Sequence, residues 1–257
     1  MAWKRFPYEN AGFLHTRESL KGAWRGLHAG DAEPWPRKAA VVDAWIAFHA
    51  GEFERAEHEG VAAGWAGHAA ANKASCMHAV YLEPSRDAKC QRLQAVVERC
   101  ELQQAEQPGN PAAFYWHAYA LGRYSQEISV VQALTQGLGG KVKASLDTTL
   151  GLAPRHADAH VALGVYHAEI IDKTGALLGR LTYGASRDDA IAHFTKALEL
   201  NPGSAIARIE YARALLMLDG RTRQEEAGGL LRAAAAAKPR DAMERLDVER
   251  ARHELGE

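Results

Sequence analysis

Three segments of the chain repeat one spacing of small and large residues, and each segment ends in a proline. They are residues 142–154 (VKASLDTTLGLAP), 190–202 (AIAHFTKALELNP) and 227–239 (AGGLLRAAAAAKP). In each, a small or β-branched residue is followed by a large apolar residue four positions later, a small residue three after that, and a proline five further on. Spacings of four and three place these side chains on one face of an α-helix, which the proline ends. The pattern therefore predicts three equivalent helices.

A second repeated pattern precedes the first two of these segments. LGRYSQEI at residues 121–128 and LGVYHAEI at residues 163–170 lie 42 positions apart. Gly164 and Ala190 have little bulk, so two helices can approach closely at these positions, and Phe194 is expected to fill the space between the helices. The chain is therefore predicted to consist of paired antiparallel helices.

The spacing small-x-x-x-large-x-x-small-x-x-x-x-Pro at the end of a helix pair resembles the tetratricopeptide repeat. Leu163 and Gly164 match the first helix of that repeat. The second helix is matched by three sets of residues: Leu146 and Pro154, with Val142 and Thr149 in place of alanines; Ala190, Phe194, Ala197 and Pro202; and Ala227, Leu231, Ala234 and Pro239. The resemblance implies an all-α fold, a right-handed α-α superhelix of helix pairs, and a concave groove that binds a partner.

The prolines that close the repeats are unevenly spaced. Counted from Pro108, they lie 46, 48 and 37 residues apart, whereas the standard tetratricopeptide repeat has about 34 residues. Extra turns or loops are therefore expected between the helices of a pair. They are placed in the glycine-containing stretches 135–143 and 172–186.

A further resemblance covers about the C-terminal half of the chain. A long first helix, the residues ADAH at 157–160 and an insert ending in YG are similar to regulator-of-microtubule-dynamics proteins and to the helical T component of TRAP transporters. This resemblance implies a ligand-binding partner of a transport system, which is one alternative function.

The first 108 residues are also predicted to form helix pairs. Residues 44–64 (AWIAFHAGEFERAEHEGVAAG) are typical of a helix, a turn at Gly51 and a second helix. We therefore expect residues 1–108 to be degenerate pairs of the same solenoid. Residues 109–257 are expected to hold the clearer repeats and a charged C-terminal capping helix, within one continuous domain.

Capping residues mark several helix starts. Three pairs have capping-box spacing, in which a cap residue is followed three positions later by an acid: Ser186 with Asp189, Thr222 with Glu225, and Asp241 with Glu244. Helices are therefore predicted to begin near residues 187, 223 and 242.

Composition excludes several classes of protein. The chain has 257 residues, of which 47% are hydrophobic and 25% are charged, so global disorder is excluded. Its 31 Lys and Arg residues and 32 Asp and Glu residues leave a formal net charge of -1, which does not fit a dedicated nucleic-acid binder. No apolar stretch reaches the roughly 18 residues of a membrane span, and the start of the chain has no signal-peptide pattern. A cytoplasmic location is expected.

Catalytic and metal-binding motifs are weak. The three cysteines form no C-x-x-C pair, which indicates reduced thiols, and H-E-x-x-H is absent. His156, His160 and His167 share one helical face, but no third ligand converges on the first two, so ordinary interhelical packing is expected. The glycines at residues 137–140 lack phosphate-loop spacing and indicate a flexible loop. No cofactor is predicted, and a metal-dependent enzyme that uses His156 and His160 is kept as an alternative.

The candidate binding face is the side of the first helices that a tetratricopeptide superhelix turns inward. A mixture of aromatic, arginine and aliphatic side chains is typical of surfaces that anchor partners. Two acids, Glu127 and Glu169, occupy equivalent positions in the repeated stretches 121–128 and 163–170. The candidate site residues are Trp116, Tyr119, Arg123, Glu127, Asp158, Glu169 and Arg213. One alternative stays open. The inserts could fill the groove of the superhelix, and these residues would then be buried in the core.

The sequence thus predicts a non-catalytic binding or scaffold protein. Its groove is expected to take a peptide, a protein helix or a small ligand, with a protein or peptide as the favoured partner. Nucleic acid and membrane spans are not expected, and self-association into a homo-oligomer is left open.

Overall fold

The computed structural model describes residues 2–257. Every regular element within this range is helical, and no strand occurs in it, so the predicted all-α class is confirmed. The α-helices are α1 (Arg17–Leu27), α2 (Ala39–His49), α3 (Phe53–Ala62), α4 (His68–Met77), α5 (Arg86–Glu106), α6 (Pro111–Glu127), α7 (Val130–Thr135), α8 (Leu138–Leu152), α9 (Ala157–Thr174), α10 (Ala176–Tyr183), α11 (Arg187–Leu200), α12 (Ala205–Asp219), α13 (Gln224–Ala235) and α14 (Ala242–Leu255).

The described chain divides into two compact units. Unit 1 comprises residues 2–28, 33–152 and 240–243. Unit 2 comprises residues 29–32, 153–239 and 244–257. The division of the chain at residue 108 stays a prediction, because these units are defined by spatial contacts and not by repeats.

Helix α4 is the central helix of unit 1. It contacts α2, α3, α5 and α6, and every residue from 69 to 77 is buried. Most of these residues are alanine or another small residue, so neighbouring helices can approach its backbone closely. The charged residue among them is Lys73, whose ammonium nitrogen lies 5.2 Å from the centre of the Phe48 ring and 5.7 Å from the centre of the Trp45 ring. These aromatic faces provide a favourable contact for a buried cation.

Phe194 is at the centre of unit 2. Its side chain is fully buried and stacks on Tyr211, with ring centres 5.0 Å apart. A Cβ atom added to Gly164 would lie 2.6 Å from Phe194 Cε2, so the glycine is what lets α9 approach α11. The close approach predicted from these two residues is confirmed.

The large apolar residues of the three repeated segments are not equally buried. Leu146 and Phe194 are fully buried, whereas Leu231 is only partly buried. The repeated spacing predicts that Leu231, at the position equivalent to Phe194, fills an equivalent hole between helices. This prediction is wrong, because one side of Leu231 faces an open cleft.

The helix starts follow the predicted positions closely. α11 begins at Arg187, α13 at Gln224 and α14 at Ala242. The hydroxyl of Ser186 accepts a hydrogen bond from the Asp189 amide at 3.1 Å, as a capping residue does. Thr222 does not cap α13, because its hydroxyl donates to the carbonyl of Asp219 within a short 3-10 turn.

Both inserted stretches contain helix, so the expectation of loops is wrong at these places. Residues 139 and 140 lie inside α8, because that helix already begins at Leu138. The second stretch contains α10, which lies between Gly175 and Gly184. Both glycines have positive φ, 81° and 64°, a conformation that separates α10 from its neighbours and that other residues adopt only with strain.

Within unit 1, the N-terminal residues Trp3 and Lys4 are held against His78, at the start of a π-helical turn. The Lys4 amide donates to His78 Nε2 at 2.7 Å, and the rings of Trp3 and His78 lie 4.6 Å apart. Burial, together with the nearby Arg92 guanidinium, lowers the pKa of His78 to about 4. His78 therefore stays neutral near pH 7 and can accept the Lys4 hydrogen bond.

Acid is expected to weaken this attachment. The unfolded chain protonates His78 near its ordinary pKa of 6.5, so stability is complete above that pH and falls as the pH falls toward 4. In His78→Gln the side-chain oxygen can accept the same bond without titrating. Thermal midpoints between pH 7.5 and 4.5 should therefore fall less in the variant than in the wild type. Equal pH slopes would contradict this assignment.

Candidate functional site

Four of the predicted binding residues lie on α6 in unit 1. The ring centres of Trp116 and Tyr119 are 5.4 Å apart, and the Arg123 guanidinium lies 5.2 Å from the centre of the Tyr119 ring. These three side chains therefore lie next to one another along α6. However, the Trp116 side chain is only 3% exposed. Trp116 is therefore a core residue, and the expectation that its indole faces an open groove is wrong.

Glu127 closes the C-terminal end of α6 against α5. Its carboxylate accepts from Lys89 Nζ at 2.7 Å, and its backbone carbonyl accepts from the Arg86 guanidinium. The acid is thus already neutralised within unit 1. Tyr119 and Arg123 remain the half-exposed part of the predicted α6 patch.

The other three predicted residues, Asp158, Glu169 and Arg213, lie in unit 2. The Asp158 amide donates to the Gly30 carbonyl at 2.9 Å. Glu169 pairs with Lys173 at 2.9 Å, one turn further along α9, and Arg213 pairs with Glu254 of α14. Each residue has its own partner within unit 2. The seven predicted residues are thus divided between the two units and do not form one cluster within either.

The histidines of α9 have structural partners. His156 is buried at the start of α9, and its Nδ1 accepts the Ala159 amide at 3.1 Å. His160 points instead to His193, with 2.9 Å between their Nδ1 atoms. The His167 ring stacks on His193 with ring centres 5.8 Å apart, and its Nδ1 accepts the Ser186 amide at 3.2 Å. Within residues 2–257, no group of three or more His, Cys, Asp or Glu side chains is arranged to hold a metal ion.

Unit 1 contains a buried hydrogen-bonded polar chain that the sequence did not predict. It is formed by His28, His49 and Asp241. His49 Nδ1 lies 2.7 Å from an Asp241 carboxylate oxygen, and His49 Nε2 lies 3.3 Å from His28 Nε2. All three side chains are nearly inaccessible to solvent. No motif could have revealed the group, because its members are far apart in the chain.

Aromatic rings enclose this polar chain. Trp24 stacks on His28 with ring centres 3.9 Å apart, and Trp45 stacks on His49 at 5.8 Å. A third imidazole, His15, lies 6.3 Å from His49, and burial lowers the pKa of His15. A carboxylate that orients an imidazole is common in catalytic sites, but here the second ring nitrogen faces another imidazole inside the core. We interpret the group as a connection that holds residues 240–243 on α1 and α2.

The inserted helices expose apolar side chains. On α10, Leu177 is 75% exposed, Leu178 is 54% exposed and Leu181 is 76% exposed. α7 carries the same spacing in Val130, Val131 and Leu134, all of which are exposed. Positions i, i+1 and i+4 fall within an arc of about 100° around a helix, so each set forms one apolar face.

A single glycine attaches α10 closely to α9. Gly179 is the one buried residue of α10, and a Cβ atom there would lie 3.1 Å from Thr174 Oγ1 and 3.2 Å from Ile170 Cγ2. The leucines lie on the rest of the helix surface, which their own unit leaves exposed. Helix α10 is therefore packed against α9 on its Gly179 side, and its leucines form an exposed apolar face.

Comparison with known proteins provides no family for the chain. No protein-family model matches it, and no curated protein matches it. Among the described residues, no helix is long and apolar enough to cross a membrane.

Proposed function

We propose that this chain is a non-catalytic binding protein of the tetratricopeptide-like helical-repeat type whose partner is another protein. The observation that carries the proposal is the exposed face of α10, formed by Leu177, Leu178 and Leu181. Burying a leucine side chain contributes about 1.5–3 kcal/mol. A partner that covers these three residues would therefore gain a large part of its binding free energy from them.

The recurrence of the pattern supports binding over an accidental exposure. α7 and α10 are the two inserts between the helices of successive pairs, and each has apolar residues at i, i+1 and i+4. A short helix with one apolar face matches the helix-in-groove mode of recognition, in which such side chains enter a hydrophobic groove. We infer a protein partner with an apolar groove or a second apolar helix.

The alternatives from the sequence have less support. A metal-dependent enzyme would use His156 and His160, but each of these side chains has another partner. A ligand-binding role in a transport system and a cytoplasmic location stay predictions. Tyr119 and Arg123 remain candidate partner contacts on α6.

Substitution of the exposed leucines tests the proposal. Leu177→Ser/Leu181→Ser should lower the amount of captured partner at least tenfold, because the apolar contact is lost, and should leave the thermal midpoint unchanged. The measurement is capture by the immobilised chain without a tag on α10, followed by titration of the purified partner. Arg155→Ala, at an exposed residue of unit 2, is the control.

Two further variants locate the contact. Val131→Ser/Leu134→Ser tests the α7 face, and Arg123→Ala tests the α6 patch. The proposal is wrong if the α10 variant retains full affinity for the partner, or if the wild type captures no protein that the α10 variant fails to capture.

A further inference from the structure

Unit 2 contains an open cleft between the end of α12 and α13. Its volume is about 730 Å³. Leu216 and Leu231 provide apolar surface, and Arg221, Glu225 and Arg232 provide charge. Leu216 is 42% exposed, so part of this apolar surface is in contact with water. Its lining includes none of the α10 leucines and none of the seven binding residues predicted from the sequence.

The two arginines of the cleft have no hydrogen bond or ion pair within the described residues. The adjacent Arg223 differs, because it pairs with Glu226 and Asp219. Asp219 is also held by Arg187 through two hydrogen bonds of 2.7 Å. Asp219 and Glu226 are therefore already neutralised by other arginines, and Arg221 and Arg232 keep their donors for another anion.

A pair of glycines positions Arg232. A Cβ atom on Gly228 would lie 3.2 Å from Arg232 Nη1, and one on Gly229 would lie 3.9 Å from Nη2. The guanidinium therefore lies over the helix surface at Gly228, where a side chain would crowd it, and it has ordinary contact distance to Gly229. This position keeps it at the wall of the cleft beside Leu231.

We propose that this cleft binds the C-terminal end of a peptide whose last residue is apolar. The terminal carboxylate would lie between Arg221 and Arg232, because guanidinium groups bind carboxylates through charge-assisted hydrogen bonds. The last side chain would contact Leu216 and Leu231. A cleft this open leaves much of a small ligand in water, whereas small-molecule sites enclose most of their ligand. A peptide end, with the rest of its chain outside, fits that shape better.

Glu225 is expected to weaken the binding of a peptide carboxylate in this cleft. Its carboxylate lines the same cleft without an ion pair of its own, so it repels a second carboxylate placed near it. The two arginines outnumber it, and the side-chain charge of the cleft is positive. Glu225→Gln should therefore strengthen binding of the peptide carboxylate about threefold.

The test uses a fluorescein-labelled pentapeptide, Gly-Ser-Ala-Leu-Leu, with either a free or an amidated C-terminus. Fluorescence anisotropy with the full chain should give at least tenfold tighter binding of the free acid. Arg221→Gln and Arg232→Gln should each weaken binding of the free acid at least fivefold. Both arginines are exposed, so the thermal midpoint should not change. Arg155→Gln is the matched control and should bind like the wild type.

Three outcomes would overturn the proposal: equal binding of the acid and the amide, equal binding by the arginine variants, and competition by octanoate at the affinity of the peptide. The last outcome would identify a small aliphatic carboxylate as the ligand. Leu177→Ser/Leu181→Ser should bind the pentapeptide normally. Failure at the cleft is therefore distinguishable from failure of the α10 proposal.

Discussion

Phe194→Ala is expected to lower the free energy of unfolding by about 3–5 kcal/mol, the range for removal of a fully buried phenylalanine. The ring is in contact with Gly164 on α9 and with Tyr211 on α12. The variant leaves a cavity that α9 cannot fill, because Gly164 has no side chain to move into it. Urea denaturation followed by circular dichroism measures the change.

A double-mutant cycle makes this prediction specific. Gly164→Ala alone should destabilise the protein, since its Cβ atom would lie 2.6 Å from Phe194 Cε2. In Gly164→Ala/Phe194→Ala the methyl group enters the space that the ring has left, so the combined loss should be smaller than the sum of the single losses. Leu178→Ala, at an exposed residue of unit 2, is the control. Additive losses would contradict the predicted contact between α9 and α11.

Asp241→Ala is expected to have an effect of similar size, about 3–5 kcal/mol, because it removes one partner of a buried ionisable pair. The substitution leaves His49 Nδ1 without its acceptor at 2.7 Å, in a site closed by Trp24 and Trp45. In the folded variant the buried His49 donor would have no hydrogen-bond acceptor, whereas in the unfolded chain it binds water. This difference lowers the free energy of unfolding.

Asp241→Asn separates the charge from the hydrogen bond. Its amide oxygen can still accept from His49, so we expect about half the loss seen for alanine. Asp147→Ala, at an exposed residue of unit 1, is the control and should change stability by less than about 1 kcal/mol, since surface ion pairs contribute little. Urea denaturation measures all three variants. If Asp241→Ala loses no more stability than this control, the buried hydrogen-bonded group of His28, His49 and Asp241 contributes nothing to the free energy of unfolding.

Local signals in the sequence were sufficient to locate the starts of several helices. Ser186 and Asn110 start α11 and α6 because their side chains accept backbone amides that a helix leaves free. Such an interaction spans two or three residues and can be read directly from the chain. The same holds for Gly164 and Phe194, whose repeat positions predicted that they would meet.

The inserts were harder to predict, because some of their glycines end or begin a helix and others lie within one. Gly175 and Gly184 bound a helix through positive φ, whereas residues 139 and 140 are ordinary members of α8. Composition alone does not distinguish these cases. The common i, i+1, i+4 spacing of apolar residues in the two inserts is the signal in the sequence that indicates the exposed faces of α7 and α10.

The sequence by itself determined the helical class, several of the helix starts and the close packing around Phe194, because each depends on neighbours along the chain or on a repeated spacing. Only the tertiary structure decided that Trp116 is core, that His28, His49 and Asp241 meet, and that Arg221 and Arg232 line one cleft. These properties depend on which distant side chains cover or neutralise a residue. A helix face has no means of encoding its covering partner within its own few turns, so that information appears only when the helices are packed.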